Sequence, residues 1–232
     1  MALFCKTCKY PQDTIETRDG GKLKITFFAH SSLMFEFGGK HIYTDPVRSN
    51  ADYASLPEAD VILVTHDHYD HFDIPVIEQL STPTTLFIGN KSAADQLGAG
   101  GAMANGDRKS LPFMQVEAVA AYNTSPDRQG FHPRGGRDNG YILTFGGTRV
   151  YVAGDSEDTP EMLALTDIDI AFLPVNQPFT MTEEQAARAV KAIRPKIFYP
   201  YHYGQTEQRT DLKKLEKLLE GSDTEVRIRP ME

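Results

Sequence analysis

Val61-Ile62-Leu63-Val64-Thr65-His66-Asp67-His68-Tyr69-Asp70-His71 is the stretch that decides how this chain is read. Its first half is short and wholly apolar, as expected of a β-strand covered on both faces. Its second half delivers three histidines and two aspartates within six residues, in a chain that has seven histidines in all. Neutral imidazole and carboxylate are the ligands that zinc and similar metals take. Packed this densely without an ion, they would repel one another or be desolvated at a cost. A solvated polar loop is the bland alternative, and the density of ligand types favours the metal.

One loop cannot finish a metal site, so other strands must end in ligands as well. They do. Arg149 to Gly154 leads into Asp155, and Lys196 to Tyr201 leads into His202. Val116 to Tyr122 leads into Asn123, with His132 further along the same loop. Ligands at the ends of several strands can converge on one sheet edge, where α/β folds place their sites. His30 also follows a strand, Lys22 to Ala29, and either lines that edge or is a satisfied structural histidine. His41 reads as structural.

Further strands are expected at Ser32 to Phe37 and His41 to Asp45, a hairpin around Gly38-Gly39-Lys40. Thr85 to Ile88, Tyr141 to Phe145, Ile168 to Val175 and Val226 to Arg229 complete the set, with a second hairpin at Gly146-Gly147. Thr182-Glu183-Glu184-Gln185 is a capping box opening a helix that stops before Pro195. Asp211 caps another helix ending near Gly221, and Ile74 to Leu80 is a short third. Gly98 to Gly106 and Asn123 to Asn139 read as loops. Strands outnumber helices, and hairpins mix with crossovers. The expected class is α/β or α+β, with helices covering sheets.

The chain has 232 residues, 40% apolar and 24% charged, the composition of an ordinary globular protein. Residues 1–20 read as a flexible extension and residues 21–232 as one domain. No apolar run is long enough to span a membrane. The formal net charge of −8 argues against a nucleic-acid surface. Cys5 and Cys8 have the spacing of a zinc half-site or redox pair, but no second ligand pair lies nearby. The first ten residues lack the apolar stretch of a signal peptide, so a cytoplasmic location is expected, or a periplasmic one if a leader has been removed.

From about Lys24 to Gly204 the chain resembles the metallo-β-lactamase superfamily. The resemblance is carried by Ala29-His30-Ser31-Ser32, Tyr43-Thr44-Asp45-Pro46, the His66 to His71 motif, Ala153-Gly154-Asp155-Ser156 and Pro200-Tyr201-His202-Tyr203-Gly204. It is similar above all to the small metal-dependent hydrolases of the ascorbate-phosphate lactonase and N-acyl phosphatidylethanolamine phospholipase D types. The resemblance implies a four-layer αββα sandwich with a two-metal site at one edge, zinc first, with Mn2+ or Fe2+ as alternatives. His66 and His68 would bind the first metal, Asp70, His71 and His202 the second, and Asp155 both. The family pattern also expects a histidine directly after the middle strand, where this chain has Asn123. Imidazole is a much better zinc ligand than a neutral amide, so the loop is expected to fold back and present His132. Failing that, the first site is weak and one metal does the work.

Such a site activates a water against a small ester-like substrate, of lactone or phosphodiester class. Asp70 is the expected catalytic proton shuttle, and Asp45 orients a ligand from behind. Asn123, Arg134, Arg137 and Tyr203 are the candidate substrate contacts, the arginines for an anionic group, with Arg128 on the same loop and Tyr201 shaping the pocket. The competing readings are a nuclease or nucleotide phosphodiesterase on the same metals, a metal-dependent redox enzyme, and a non-catalytic metal-binding protein.

Overall fold

The computed structural model describes residues 9–204 and 206–232. Cys5 and Cys8 lie outside the described residues. The chain builds one sheet and then a second. The first takes β1 (Gln12–Glu16), β2 (Lys22–Phe27), β3 (Leu33–Phe37), β4 (Lys40–Thr44), β5 (Val61–Val64) and β6 (Leu86–Gly89). The second takes β7 (Arg108–Leu111), β8 (Met114–Ala121), β9 (Asp138–Phe145), β10 (Thr148–Val152), β11 (Ile170–Pro174), β12 (Ile197–Tyr201) and β13 (Glu225–Val226). In both sheets the spatial order of strands is the order of the chain. Each sheet opens as an antiparallel meander and closes with parallel strands, from β4 to β6 and from β10 to β13.

Parallel neighbours need crossovers, and helices supply all but the one from β4 to β5, which carries a 3-10 turn at Tyr53–Ser55. α1 (Ile74–Leu80) joins β5 to β6, and α2 (Lys91–Leu97) follows β6. α3 (Pro160–Leu163), α4 (Glu183–Ile193) and α5 (Leu212–Leu218) serve the second sheet. Three apolar clusters define the layers. Leu23, Phe35, Leu63, Tyr141, Phe172 and their neighbours fill the space between the sheets. Ile62, Val64, Val76 and Ile77 seat the first helices on the first sheet. Ala171, Leu173, Ala186, Val190 and Leu215 seat the later helices on the second. This is the four-layer αββα sandwich. Val61–Val64 is buried at every position, because its two faces belong to two different clusters.

The local signals are used as expected at most elements. Gly38 and Gly39 form the two-residue turn between β3 and β4, both at positive φ, which this turn requires. Thr182 caps α4, and Gln185 returns the hydrogen bond to complete the box. One expectation is corrected. Within the stretch read as a flexible extension, Gln12–Glu16 is a strand paired with β2. Ile15 packs on the inter-sheet core, and Asp13 pairs with Arg229 at 2.8 Å.

Candidate metal centre

β2, β4 and β5 run in one direction in the first sheet, and β8, β10 and β12 share a direction in the second. The candidate site residues follow the carboxyl ends of these six strands: His30 after β2, Asp45 after β4, the His66–His71 motif after β5, the loop with His132 after β8, Asp155 after β10 and His202 after β12. The two sheets are tied together at this edge. Asn139 N–H donates to Thr65 O at 3.0 Å, and the Tyr141 hydroxyl donates to Val64 O at 2.9 Å. His30 N–H donates to Met231 O, so the site also rests on residue 231.

The backbone is bent to make these turns. His30, Asp45 and His202 all have positive φ, at 59°, 45° and 56°. Gly154, at φ 65°, sets up Asp155; a Cβ there would lie 2.8 Å from Asn139 O and 3.0 Å from Thr65 Cβ. Only glycine fits that turn without pushing the two sheets apart.

The side chains form three overlapping groups whose ligand atoms lie within 4.8 Å of one another: His66, His68 and His132; His30, Asp70, His71 and His202; and His66, His71 and Asp155. Asp155 reaches both ways. Its Oδ1 lies 3.3 Å from His71 Nε2 and 3.1 Å from His202 Nε2, and its Oδ2 lies 3.3 Å from His132 Nε2. Asp70 Oδ2 lies 3.1 Å from His30 Nε2 and 3.8 Å from His202 Nε2. Behind His71, Asp45 accepts from its Nδ1 at 2.8 Å and from the Thr65 amide and hydroxyl. A carboxylate can only accept, so Nδ1 carries a proton toward Asp45 and Nε2 is the ring atom turned to the centre.

The electrostatics follow from burial. Burial holds the His66 imidazole well below its usual range, and His71 adds to the effect. Burial alone would push Asp155 up, but His202 and His71 outweigh it and hold the carboxyl well below the usual range. For His71 burial works downward, yet Asp155 and Asp45 raise the imidazole well above its ordinary value. His30, buried and beside His202, is pushed down to about 4 despite its contact with Asp70. Fully buried atoms are left without hydrogen bonds: His66 Nε2, His132 Nε2 and Asp155 Oδ1. Orphaned donors and acceptors of this kind are rare in protein interiors, and the three residues all belong to the candidate ligand groups. A divalent cation with nitrogen and oxygen ligands fits this donor set.

The other expected contacts are distributed differently. Asn123 does not line the cavity; its amide donates to Arg128 O and Phe179 O, and its N–H to His132 O. It pins the loop that presents His132. Arg134 lies over the Tyr122 ring at 5.4 Å. Tyr203 turns away to bond Arg229 O, and Tyr201 is buried between the sheets, bonded to Gly154 N. Arg137 comes within 3.5 Å of His68 Nε2 but is forked onto Asp138. Arginines with a carboxylate or ring at hand take that nearer partner. Missed as strong candidates were His30, which sequence left undecided, and Asn176, whose amide nitrogen lies 3.0 Å from His202 Nδ1. His30 had one signal, its place after a strand. Asn176 had none beyond following β11.

A cavity of about 580 Å³ opens on these groups, with His30, His68, Asp70, His132, Asp155 and His202 in its wall. Residues 24–202 match the family model described as the β-lactamase superfamily domain. A UPF0173 metal-dependent hydrolase of Methanosarcina mazei is 31% identical over 221 residues, covering 89% of this chain and 95% of that one. The crystal structure of a metal-dependent hydrolase from Parabacteroides distasonis is 50% identical, with a TM-score of 0.91, covering 96% of this chain and all of that one. Igni18, a metallo hydrolase from Ignicoccus hospitalis, is 25% identical with a TM-score of 0.77, covering 90% and 95%. The chain therefore belongs to the metallo-β-lactamase superfamily, among its metal-dependent hydrolases.

Proposed function

We propose that this enzyme hydrolyses a small ester-like molecule at a pair of divalent ions, zinc first. His66, His68 and His132 would hold one ion, Asp70, His71 and His202 the other, and Asp155 both. The observation that carries this reading is the overlap of the three ligand groups through His66 and His71, with buried, unbonded atoms turned inward. When bound, such ions supply Lewis acidity and an activated water near neutral pH. Asp70, on the cavity wall, is held below the usual carboxylate range: burial works upward, and His30 and His71 outweigh it. It stays ionised to accept a proton from the attacking water and pass it on. Asp45 keeps His71 oriented. A purely structural metal site would be closed. The cavity against Asp70 and His202 speaks for catalysis.

Elemental analysis of purified wild type beside His132→Ala and Asn123→Ala tests the ligand set. Two ions per wild-type chain, falling to about one in His132→Ala, is the expected result. Asn123→Ala loosens the loop and should lower occupancy less. A single ion in wild type, unaffected by His132→Ala, would sink the two-ion reading.

A further inference from the structure

Building on the hydrolytic reading above, we infer that the cavity selects an uncharged substrate with a flat apolar group beside the bond to be cut, such as an aryl ester or aryl-substituted lactone, and disfavours phosphodiesters.

Charge is the first argument. Among the described residues no lysine or arginine lines the cavity, and of its three aspartates Asp67 is the one not assigned to an ion above. The arginines nearby are already engaged. Arg128 pairs with the buried Glu157 at 3.1 Å and donates to Gln177 and Thr180. Arg137 holds both oxygens of Asp138, at 2.7 and 2.6 Å. Arg134 is stacked on Tyr122. Beyond the ions that the reading above places here, which serve a carbonyl and a phosphoryl oxygen alike, grip on a phosphoryl group ordinarily adds a forked guanidinium or free ammonium, and none lines this cavity among the described residues. The chain's net charge of −8 adds no attraction for an anion.

The apolar wall is the second argument. Three large hydrophobic residues are exposed among those described, Tyr69, Leu86 and Phe131, and two of them line this cavity. Exposed apolar side chains gathered at a polar site mark ligand contact. Phe131 meets Phe179, also in the wall, edge to face with ring centroids 4.9 Å apart. The Phe179 carbonyl lies 3.2 Å from His132 Nδ1, so this aromatic pair is fixed beside a candidate ligand rather than adrift on a loop. Tyr69 stands between His68 and Asp70 in the motif itself. A flat substituent next to the reacting carbonyl would find these rings around it.

The test is calorimetric titration of metal-loaded protein with three probes that share one metal-chelating head: acetohydroxamate, benzohydroxamate and 4-carboxybenzohydroxamate. Benzohydroxamate should bind about tenfold tighter than acetohydroxamate, the size of a favourable aromatic contact. The added carboxylate should cancel most of that gain. Phe131→Ala and Tyr69→Ala, both at exposed positions, should keep their metal content and shrink the aromatic preference to about threefold or less. Equal affinity for the first two probes, tighter binding of the carboxylate, or no binding of any probe would overturn the inference. A kinetic arm compares phenyl acetate with bis(4-nitrophenyl) phosphate, each rate divided by its uncatalysed rate. A larger enhancement for the phosphodiester also overturns it. Turnover of neither substrate, with the hydroxamate ranking intact, would count against hydrolysis while supporting the preference.

Discussion

At the scale of the residue, the centre is held by side chains that never meet the cavity. Asp45 is fully buried, at positive φ, and its two oxygens serve the Thr65 amide, the Thr65 hydroxyl and His71 Nδ1. Left-handed backbone at a non-glycine residue costs roughly 1–3 kcal/mol and persists only where its surroundings enforce it. Asp45→Asn should preserve the shape but remove the acceptor that fixes the His71 tautomer. Metal affinity, measured by competition with a chromogenic chelator, is expected to fall about 10–100-fold. An unchanged affinity would remove Asp45 from the positioning role. The sequence made the motif histidines legible because their ligand types crowd into six residues. It made Asn123, Arg134 and Tyr203 look like substrate contacts because a loop position carries no direction. Arg134 found the Tyr122 ring and Asn123 found the carbonyls of Arg128 and Phe179, choices set by how the loop folds back on itself and on Phe179.

At the scale of the element, legibility tracked apolar periodicity. β5 and the capped helix α4 were readable from composition and caps. β1 was not: Gln-Asp-Thr-Ile-Glu offers one large apolar side chain, and what makes it a strand is pairing with β2 and the Asp13–Arg229 contact. α2 was missed as well, since Lys91–Leu97 buries only Ala93 and Ala94; its Asn90 cap was the available clue. The entry to β4 and β5 gives a pH prediction. Asp60 accepts from Lys40 Nζ at 2.8 Å and from His41 N–H at 2.9 Å. Burial works to raise its carboxyl, but Lys40 and His41 N–H outweigh it and hold it below the usual value. A depressed folded value means the contribution is present above the unfolded value of about 3.9 and is lost as pH falls through the lower folded one. Asp60→Asn should therefore cost about 1 kcal/mol at pH 7 by urea unfolding, with the gap to wild type closing toward pH 3. A gap that stays constant across that range would mean the charge is immaterial.

At the scale of the whole molecule, the two sheets are contiguous halves of the chain, and the candidate ligands are divided between them. His66, His68, Asp70 and His71 belong to the first half, His132, Asp155 and His202 to the second. Metal held across that seam would bind the docked state and not the separated halves, and so would stabilise by mass action. Removing metal with a chelator should lower the unfolding midpoint by several degrees, and adding zinc back should restore it. The sequence implied the layers through the family resemblance and the strand pattern. That the strands run in chain order in both sheets was not readable, because pairing partners are settled by tertiary packing.

The hydrogen bond from His30 to Met231 has a consequence in time. A ribosome makes chain at about 5–20 residues per second and domains begin folding from their amino-terminal side. The motif that decides the fold emerges early, while its partners at 132, 155 and 202 are still unmade, and residue 231 comes later still. A nascent chain thus holds the candidate ligands of the first sheet before any of those from the second exist. The backbone seat of His30 is complete only once residue 231 has been made, so an amino-terminal stretch of the metal edge waits on a segment some two hundred residues further along.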